Sequence, residues 1–202
     1  MARASSFAGL ILAAGESRRM GRDKALLTYQ GRTFLENLID NLGAAGIEKV
    51  TVVLGHHAES IQRAVNLAGV RVVVNHDYQR GQTSSLQLGL AAAAADSPEA
   101  VMLCLVDHPA VSTEVITALS KRFESTRPPV LIPTDEGQRG HPVVISQALF
   151  PELLALPPEE PANTVIRKYR DATQFVEVAD RGILLDVDDP ESYERLVEGS
   201  RQ

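Results

Sequence analysis

The stretch LAAGESRRMGRDK, Leu12 to Lys24, brings two glycines, three arginines and a lysine together directly after the apolar run FAGLI. Glycine lets backbone approach an oxyanion and turn N–H groups toward it. A guanidinium such as that of Arg19 can fork onto phosphate oxygens, and the Lys24 ammonium supplies a mobile point charge. The chemistry on offer is polyphosphate binding; the plainer alternative is a solvated basic loop. It is not a Walker loop, because five residues separate Gly15 from Gly21 and Lys24 stands three positions further on. No G-x-G-x-x-G dinucleotide fingerprint is present either.

Asp107, in VDHP, follows the apolar run AVMLCLV. A carboxylate there suits Mg2+, a hard cation that takes oxygen ligands and shares them with phosphates; it also suits a turn or cap. A second acidic group, DVDDP, holds Asp186, Asp188 and Asp189. Alternation along a strand would set Asp186 and Asp188 on one side and Asp189 on the other. Asp189 before Pro190 equally fits the acidic start of a helix. Either Asp186 or Asp188 can be the second metal ligand. Of five histidines, His108 beside Asp107 and His141 in RGHPVV are candidates to face an acceptor. His56 and His57 read as exposed surface, and His76 has no visible partner. Ser84 and Ser85, in GQTSSL after Gly81, fit a helix N-terminus, where hydroxyls and amides take an anion or cap the helix. Neither an H-x-x-x-H zinc pair nor a G-x-S-x-G nucleophile elbow occurs.

These residues need elements to hold them. FAGLILA, KVTVVLG, VRVVVN, AVMLCLV and PVLIP read as strands. TFLENLIDNLGAAG, AESIQRAVNLAG, TSSLQLGLAAAAAD and STEVITALSKRFES read as helices, the second stopped by Gly69. This alternation predicts an α/β fold with a doubly wound, mostly parallel sheet, Rossmann-like, and ligands of such sheets bind beyond the strands' carboxyl ends. Gly15, Ser17, Arg19, Lys24, Asn75 and Asp107 all follow strands. After residue 134 the rhythm loosens. HPVVI reads as a strand, SQALFPELLAL as a short helix, and PPEEPANTVIRKYRD as a connection into a helix. QFVEVA and GILLDV read as a small late strand pair turning at Asp180–Gly182, and DPESYERLVEG as a closing helix. The expectation is one domain, 1–202, with a nucleotide half over 7–134 and an acceptor half over 135–199.

The formal net charge of −6 argues against a broad nucleic-acid surface. One cysteine, Cys104, excludes an intrachain disulfide and a thiolate zinc cluster. No apolar run approaches the roughly 18 residues of a membrane span. The opening MARASSFAGLILAAGES looks like a short signal peptide, but its cleavage region runs into the charged motif, so a cytoplasmic location is expected.

LAAGESRRMGRDK resembles the L-A-[AG]-G-x-S-x-R-M-G-x-x-K signature of nucleotidyltransferases related to the molybdenum cofactor enzymes. GQTSSLQLGL, VDHP, GHPVV and DVDDPESY follow in that family's order, from Leu10 to about Leu196. The resemblance implies transfer of a nucleoside monophosphate to a small phosphorylated, molybdopterin-like acceptor, with release of pyrophosphate. It implies backbone contact with the nucleotide from Leu12, Ala13, Ala14 and Gly15, and further contacts from Ser17, Asn75, Gly81, Ser84 and Ser85. Arg19 and Lys24 would meet the triphosphate, with Asp107 completing the catalytic set. Mg2+ would be held by Asp107 and Asp188. Ala14, SSL and GHPVV look like the cytidylyl branch, whereas RDKALL looks like the guanylyl branch. Where cytidylyl relatives carry G-D-x-G-A-R, this chain has PPEEPANTVIRK, so Asn163, Arg167 and Lys168 become candidates for the acceptor beside His108 and His141. A molybdoenzyme receiving the cofactor is an implied partner; nucleic acid and membrane are not. Two alternatives share the fold or the ligand: a sugar- or polyol-phosphate nucleotidyltransferase, and a nucleotide-binding delivery chaperone without transfer.

Overall fold

The computed structural model describes residues 7–199; Met1–Ser6, the start of the leader-like stretch, lie outside them. FAGLILA forms β1, Phe7–Ala13, buried throughout. A 3-10 turn at Lys24–Leu26 leads into a hairpin of β2, Thr28–Tyr29, and β3, Arg32–Thr33. Helix α1, Phe34–Ala44, begins with a capping box. Thr33 Oγ1 accepts from the Glu36 amide, and the Glu36 carboxylate accepts from the Thr33 amide. There follow β4, Val50–Leu54; α2, Ala58–Ala64; β5, Arg71–Val74; and α3, Gln82–Ala93. Next come β6, Ala100–Leu105, and α4, Thr113–Thr126, whose N-cap Ser112 accepts from the Val115 amide. The remainder comprises β7 (Val130–Asp135), β8 (Gln138–Arg139), β9 (Val143–Ser146), α5 (Phe150–Leu154), α6 (Asn163–Lys168), β10 (Gln174–Glu177) and α7 (Pro190–Gly199).

The sheet runs β10-β7-β9-β6-β1-β4-β5, with β8 on β7. β1 pairs in parallel with β4 and β6, β4 with β5, and β7 with β10; β9 runs antiparallel between β6 and β7. It is a doubly wound, largely parallel Rossmann-like sheet. Side-chain alternation in β1 sorts its residues between two cores. Phe7, Ile11 and Ala13 join the core with α1, α4 and α7; Ala8, Leu10 and Leu12 join the core with α3, α5 and α6. Helix α3 lies close because residue 89 is glycine: a Cβ there would stand 2.4 Å from Leu10 Cδ1 and 2.8 Å from Val53 Cγ2. The chain moves outward from β1 to β4 and β5, then returns past β1 to β6, so β1 and β6 flank the switch point where such sheets open a crevice.

Two expectations fail. Helix α2 ends at Ala64 rather than at Gly69, because Val65 turns extended and buries its branched side chain in the core. The late strand pair does not form. QFVE pairs with β7, while Arg181–Leu184 winds into a 3-10 turn. Asp180 caps that turn through the Gly182 amide, Ile183 is fully buried, and its carbonyl accepts from the His141 amide. The apolar residues of GILL thus face a core rather than a partner strand.

Candidate active site

Beyond the ends of β1 and β6 opens a cleft of about 320 Å3, within the usual range for a small-ligand site. Leu12, Ala13, Ala14 and Gly15 form its floor as β1 gives way to the loop; Leu105, Val106 and Asp107 form the β6 side. The amide of Val106 donates to Leu12 O at 3.1 Å, holding the two strand ends together. Gly55 at the end of β4 admits a close approach: a Cβ there would lie 2.6 Å from Ala14 O. Among the described residues, the backbone amides of Gly15, Glu16 and Ser17 have no acceptor, the condition an anion cradle needs. Ser17 adopts a left-handed conformation, φ 52°, and its Oγ accepts from the Lys24 amide at 3.2 Å. That link folds the loop back so that Lys24 points into the cleft.

Lys24 is 9% exposed. Its ammonium donates to Asp107 Oδ2 at 3.2 Å and to Asp188 Oδ1. Arg19 pairs with the other Asp188 oxygen. Lys24, and behind it Arg19, hold the Asp188 carboxyl below its usual range against a smaller opposing effect of burial. The result is a pair of cations held beside a pair of carboxylates, with Arg19 reaching solvent.

Behind Asp107 the environment changes. His108 is 8% exposed, and its ring lies 4.7 Å from that of His141. Burial lowers the affinity of both imidazoles for a proton, His141 to about 4, with His108 adding to the effect at His141. Asp107 Oδ1 and the Nδ1 atoms of both histidines are buried without a hydrogen-bond partner among the described residues. Asp186 stands alongside. One oxygen of Asp186, one of Asp107 and one ring nitrogen of His108 all lie within 4.8 Å of one another. Desolvation, then the like charges of Asp107 and Asp188, push the Asp186 carboxyl up. The Val187 amide, donating to Asp107 O at 2.9 Å, fixes this acidic segment beside β6. Asp189 serves the closing helix, accepting from the Ser192 amide at 2.8 Å.

The cleft therefore gathers Leu12, Ala13, Ala14 and Gly15 with Ser17, Arg19, Lys24, Ser85, Asp107 and Asp188. Asn75, Gly81 and Ser84 are not in its lining. Asn75 is buried and spends its Nδ2 on Ser84 and Ser85, 2.9 Å each, anchoring α3. Ser84 Oγ donates back to Gly81 O, so neither serine caps the helix. His108 and His141 stand behind Asp107, outside the lining. Arg167 lies elsewhere, exposed on α6, because Val165 of that helix is drawn into the core beside α3 and α5. Lys168 of α6 pairs with Glu152. The segment before α6 is clamped to α3: Thr83 Oγ1 donates to Glu160 O at 2.6 Å and accepts from the Ala162 amide at 3.1 Å. Tyr78 and Gln82 line the cleft without having been singled out. Both sit between Asn75 and Ser84, and that proximity was the available signal. His56 Nδ1 lies 3.1 Å from the Tyr78 hydroxyl and fixes that ring at the cleft.

Comparison with known proteins fits this geometry. The profile of the MobA-like NTP transferase domain matches residues 9–173. A protein named nicotine blue oxidoreductase, from Paenarthrobacter nicotinovorans, is 32% identical over 94% of this chain and 95% of its own. The molybdenum cofactor cytidylyltransferase of Escherichia coli K12 is 24% identical over 91% of this chain and 92% of its own. Among solved structures, Rv0371c from Mycobacterium tuberculosis H37Rv superposes with a TM-score of 0.82 at 29% identity, covering 97% of this chain and 99% of that one.

Proposed function

The chain belongs to the MobA-like NTP transferase family, and on that premise we propose that it transfers CMP from CTP to the phosphate of a small, molybdopterin-like acceptor. The observation that carries the reading is the Lys24 ammonium held by Asp107 and Asp188 over a glycine-lined loop with unpaired amides. An acceptor phosphate is anionic near neutral pH and needs no strong general base. Its oxygen attacks the α-phosphorus, a new P–O bond forms, the bond to the β-phosphate breaks, and pyrophosphate leaves with the electron pair. The protein's task is to align two anions and offset the charge that builds. Lys24 and Arg19 do this from the loop, and the amides of Gly15 to Ser17 take phosphate oxygens. The base is favoured as cytosine by Ala14, SSL and GHPVV.

Mg2+ belongs to this proposal. The orphaned, buried Asp107 Oδ1 fits a hard cation, and such an ion would neutralise phosphate charge. Asp188, expected at the metal, has both oxygens engaged by Lys24 and Arg19, which leaves Asp186 as the uncommitted neighbour. His108 and His141, behind Asp107 and outside the cleft lining, take no part in this reading.

Calorimetry with CTP, GTP, UTP and ATP, each with Mg2+, followed by pyrophosphate release with molybdopterin, tests the reading. CTP binds tightest and turnover needs the pterin. Preference for GTP overturns the base; turnover only with sugar or polyol phosphates overturns the acceptor. Binding without release under any acceptor identifies a delivery protein instead. Reduced nicotinamide dinucleotide is included because a relative is named as an oxidoreductase; its tight binding in place of every triphosphate overturns transfer altogether.

A further inference from the structure

We propose that Tyr78 is the face on which the nucleobase stacks, and that His56 is the positioning residue that sets its ring. The inference rests on the nucleotide-binding part of the transfer reading, and on neither the identity of the base nor that of the acceptor. A nucleoside triphosphate is anionic at one end and flat and neutral at the other. The cleft is divided in the same way. Arg19 and Lys24 stand on the loop after β1, with Asp107 and Asp188 against them. The wall supplied by the connection from β5 into α3, with Tyr78, Gln82 and Ser85, carries no charge. Among the described residues, Tyr78 is the only aromatic side chain in the lining. An aromatic face accepts any base, because every base has a π-face of its own. Neither Tyr78 nor His56 belongs to the LAAGESRRMGRDK or GQTSSLQLGL motif.

The half-buried tyrosine is held at both ends of its side chain. At its base, a Cβ on residue 55 would stand 2.9 Å from Tyr78 Cβ as well as 2.6 Å from Ala14 O, so glycine there lets the tyrosine close on the end of β1. At its tip, the hydroxyl lies 3.1 Å from His56 Nδ1. The His56 amide donates to Ala14 O at 3.2 Å, so one residue ties the floor of the cleft to its aromatic wall. His56 is backed in turn. The His57 ring lies 3.7 Å from it, and His57 Nδ1 is 3.1 Å from an Asp23 oxygen on the loop that carries Lys24. A ring fixed in this way has given up its freedom before a ligand arrives, so stacking on it costs little further ordering.

The test titrates the whole protein by calorimetry, in Mg2+, with CTP, GTP, UTP, ATP and inorganic triphosphate. Tyr78→Ala weakens every nucleoside triphosphate about 5- to 150-fold, the worth of one base–aromatic stack. Inorganic triphosphate, which has no base, binds as before and reports that the variant is folded. Tyr78→Leu, which keeps bulk without a π-face, repeats the pattern. Tyr78→Phe keeps the face and loses the hydroxyl. It and His56→Ala each weaken nucleoside triphosphates about 2- to 10-fold, the range of one net hydrogen bond. The double variant loses no more than either single one, because the two changes break the same link. His56→Asn, which keeps a polar atom at the Nδ1 position, restores binding. Equal losses for nucleoside and inorganic triphosphate in both Tyr78→Ala and Tyr78→Leu make the ring a mere support of the loop and overturn the proposal. So do unchanged nucleoside triphosphate affinities in those variants. Additive losses in the double variant overturn the positioning role of His56. A wild type that binds no triphosphate removes the transfer reading together with this inference, whereas binding as stated without pyrophosphate release removes the transfer reading alone.

Discussion

An ammonium that is 9% exposed and shared between two carboxylates is set in place before any substrate arrives. Truncating Lys24 therefore removes preorganised charge rather than a flexible contact. Lys24→Ala lowers kcat on the order of 100-fold or more, while KM for the triphosphate changes much less, as steady-state kinetics resolves. Normal turnover in that variant removes Lys24 from the chemistry. A second residue-scale effect concerns pH. Burial lowers His141 to about 4, with His108 adding and Asp107 opposing. The unfolded chain protonates this histidine near 6.5, so between pH 6.5 and 4 the unfolded state binds the extra proton. Stability rises with pH across that window and is lost on acidification. Chelator-treated protein loses about 1–2 kcal/mol between pH 6.5 and 5 through this residue, and His141→Asn flattens that slope in urea titrations. An unchanged slope disproves the assignment. Arg19, Lys24 and Asp107 were legible because residue type and motif spacing carry their chemistry. Asp186 and Asp188 were not separable, since their difference depends on which one the distant cations reach.

Helices and strands decide where those residues arrive. Alternation in β1 and the Thr33–Glu36 capping box are local, and both could be read directly. GILLDV could not, because a short apolar run serves a strand or a buried turn equally well. Asp180 and the buried Ile183 settle it through contacts remote in sequence. Helix α3 supplies the sharper test at this scale. In an exposed helix, Gly→Ala stabilises by about 1 kcal/mol. At Gly89 the new methyl carbon meets Leu10 Cδ1 at 2.4 Å and Val53 Cγ2 at 2.8 Å, in the core that seats Ser85 at the cleft. Gly89→Ala thus destabilises by about 1–3 kcal/mol through overpacking. Denaturant unfolding reads the sign, and a gain in stability refutes the close α3–β1 packing.

At the scale of the molecule, the cleft lining is balanced in charge on a chain of −6: Arg18, Arg19 and Lys24 stand with Asp23, Asp107 and Asp188. Those cations come from one seven-residue stretch, so the positive charge that meets an anion is confined to a single loop of an acidic body. That confinement was visible in the sequence, as was the parallel half of the sheet. Strand order was not, because periodicity reports a strand's faces and never its neighbour. Chain from beyond residue 134 returns as β9 to lie between β6 and β7, so the strand that leads to Asp107 is braced by both halves. Removal of 135–199 would strip β6 of its outer neighbour, and with it the His141 and Asp186 side of the site. Unfolding is therefore expected as one transition, with far-ultraviolet circular dichroism and tyrosine fluorescence coincident. A triphosphate held at 100 times its dissociation constant then moves that whole transition, stabilising by about 2.7 kcal/mol. Two separated transitions, only the first shifted by nucleotide, would show that the halves fold independently and that the brace between them contributes nothing to the cleft.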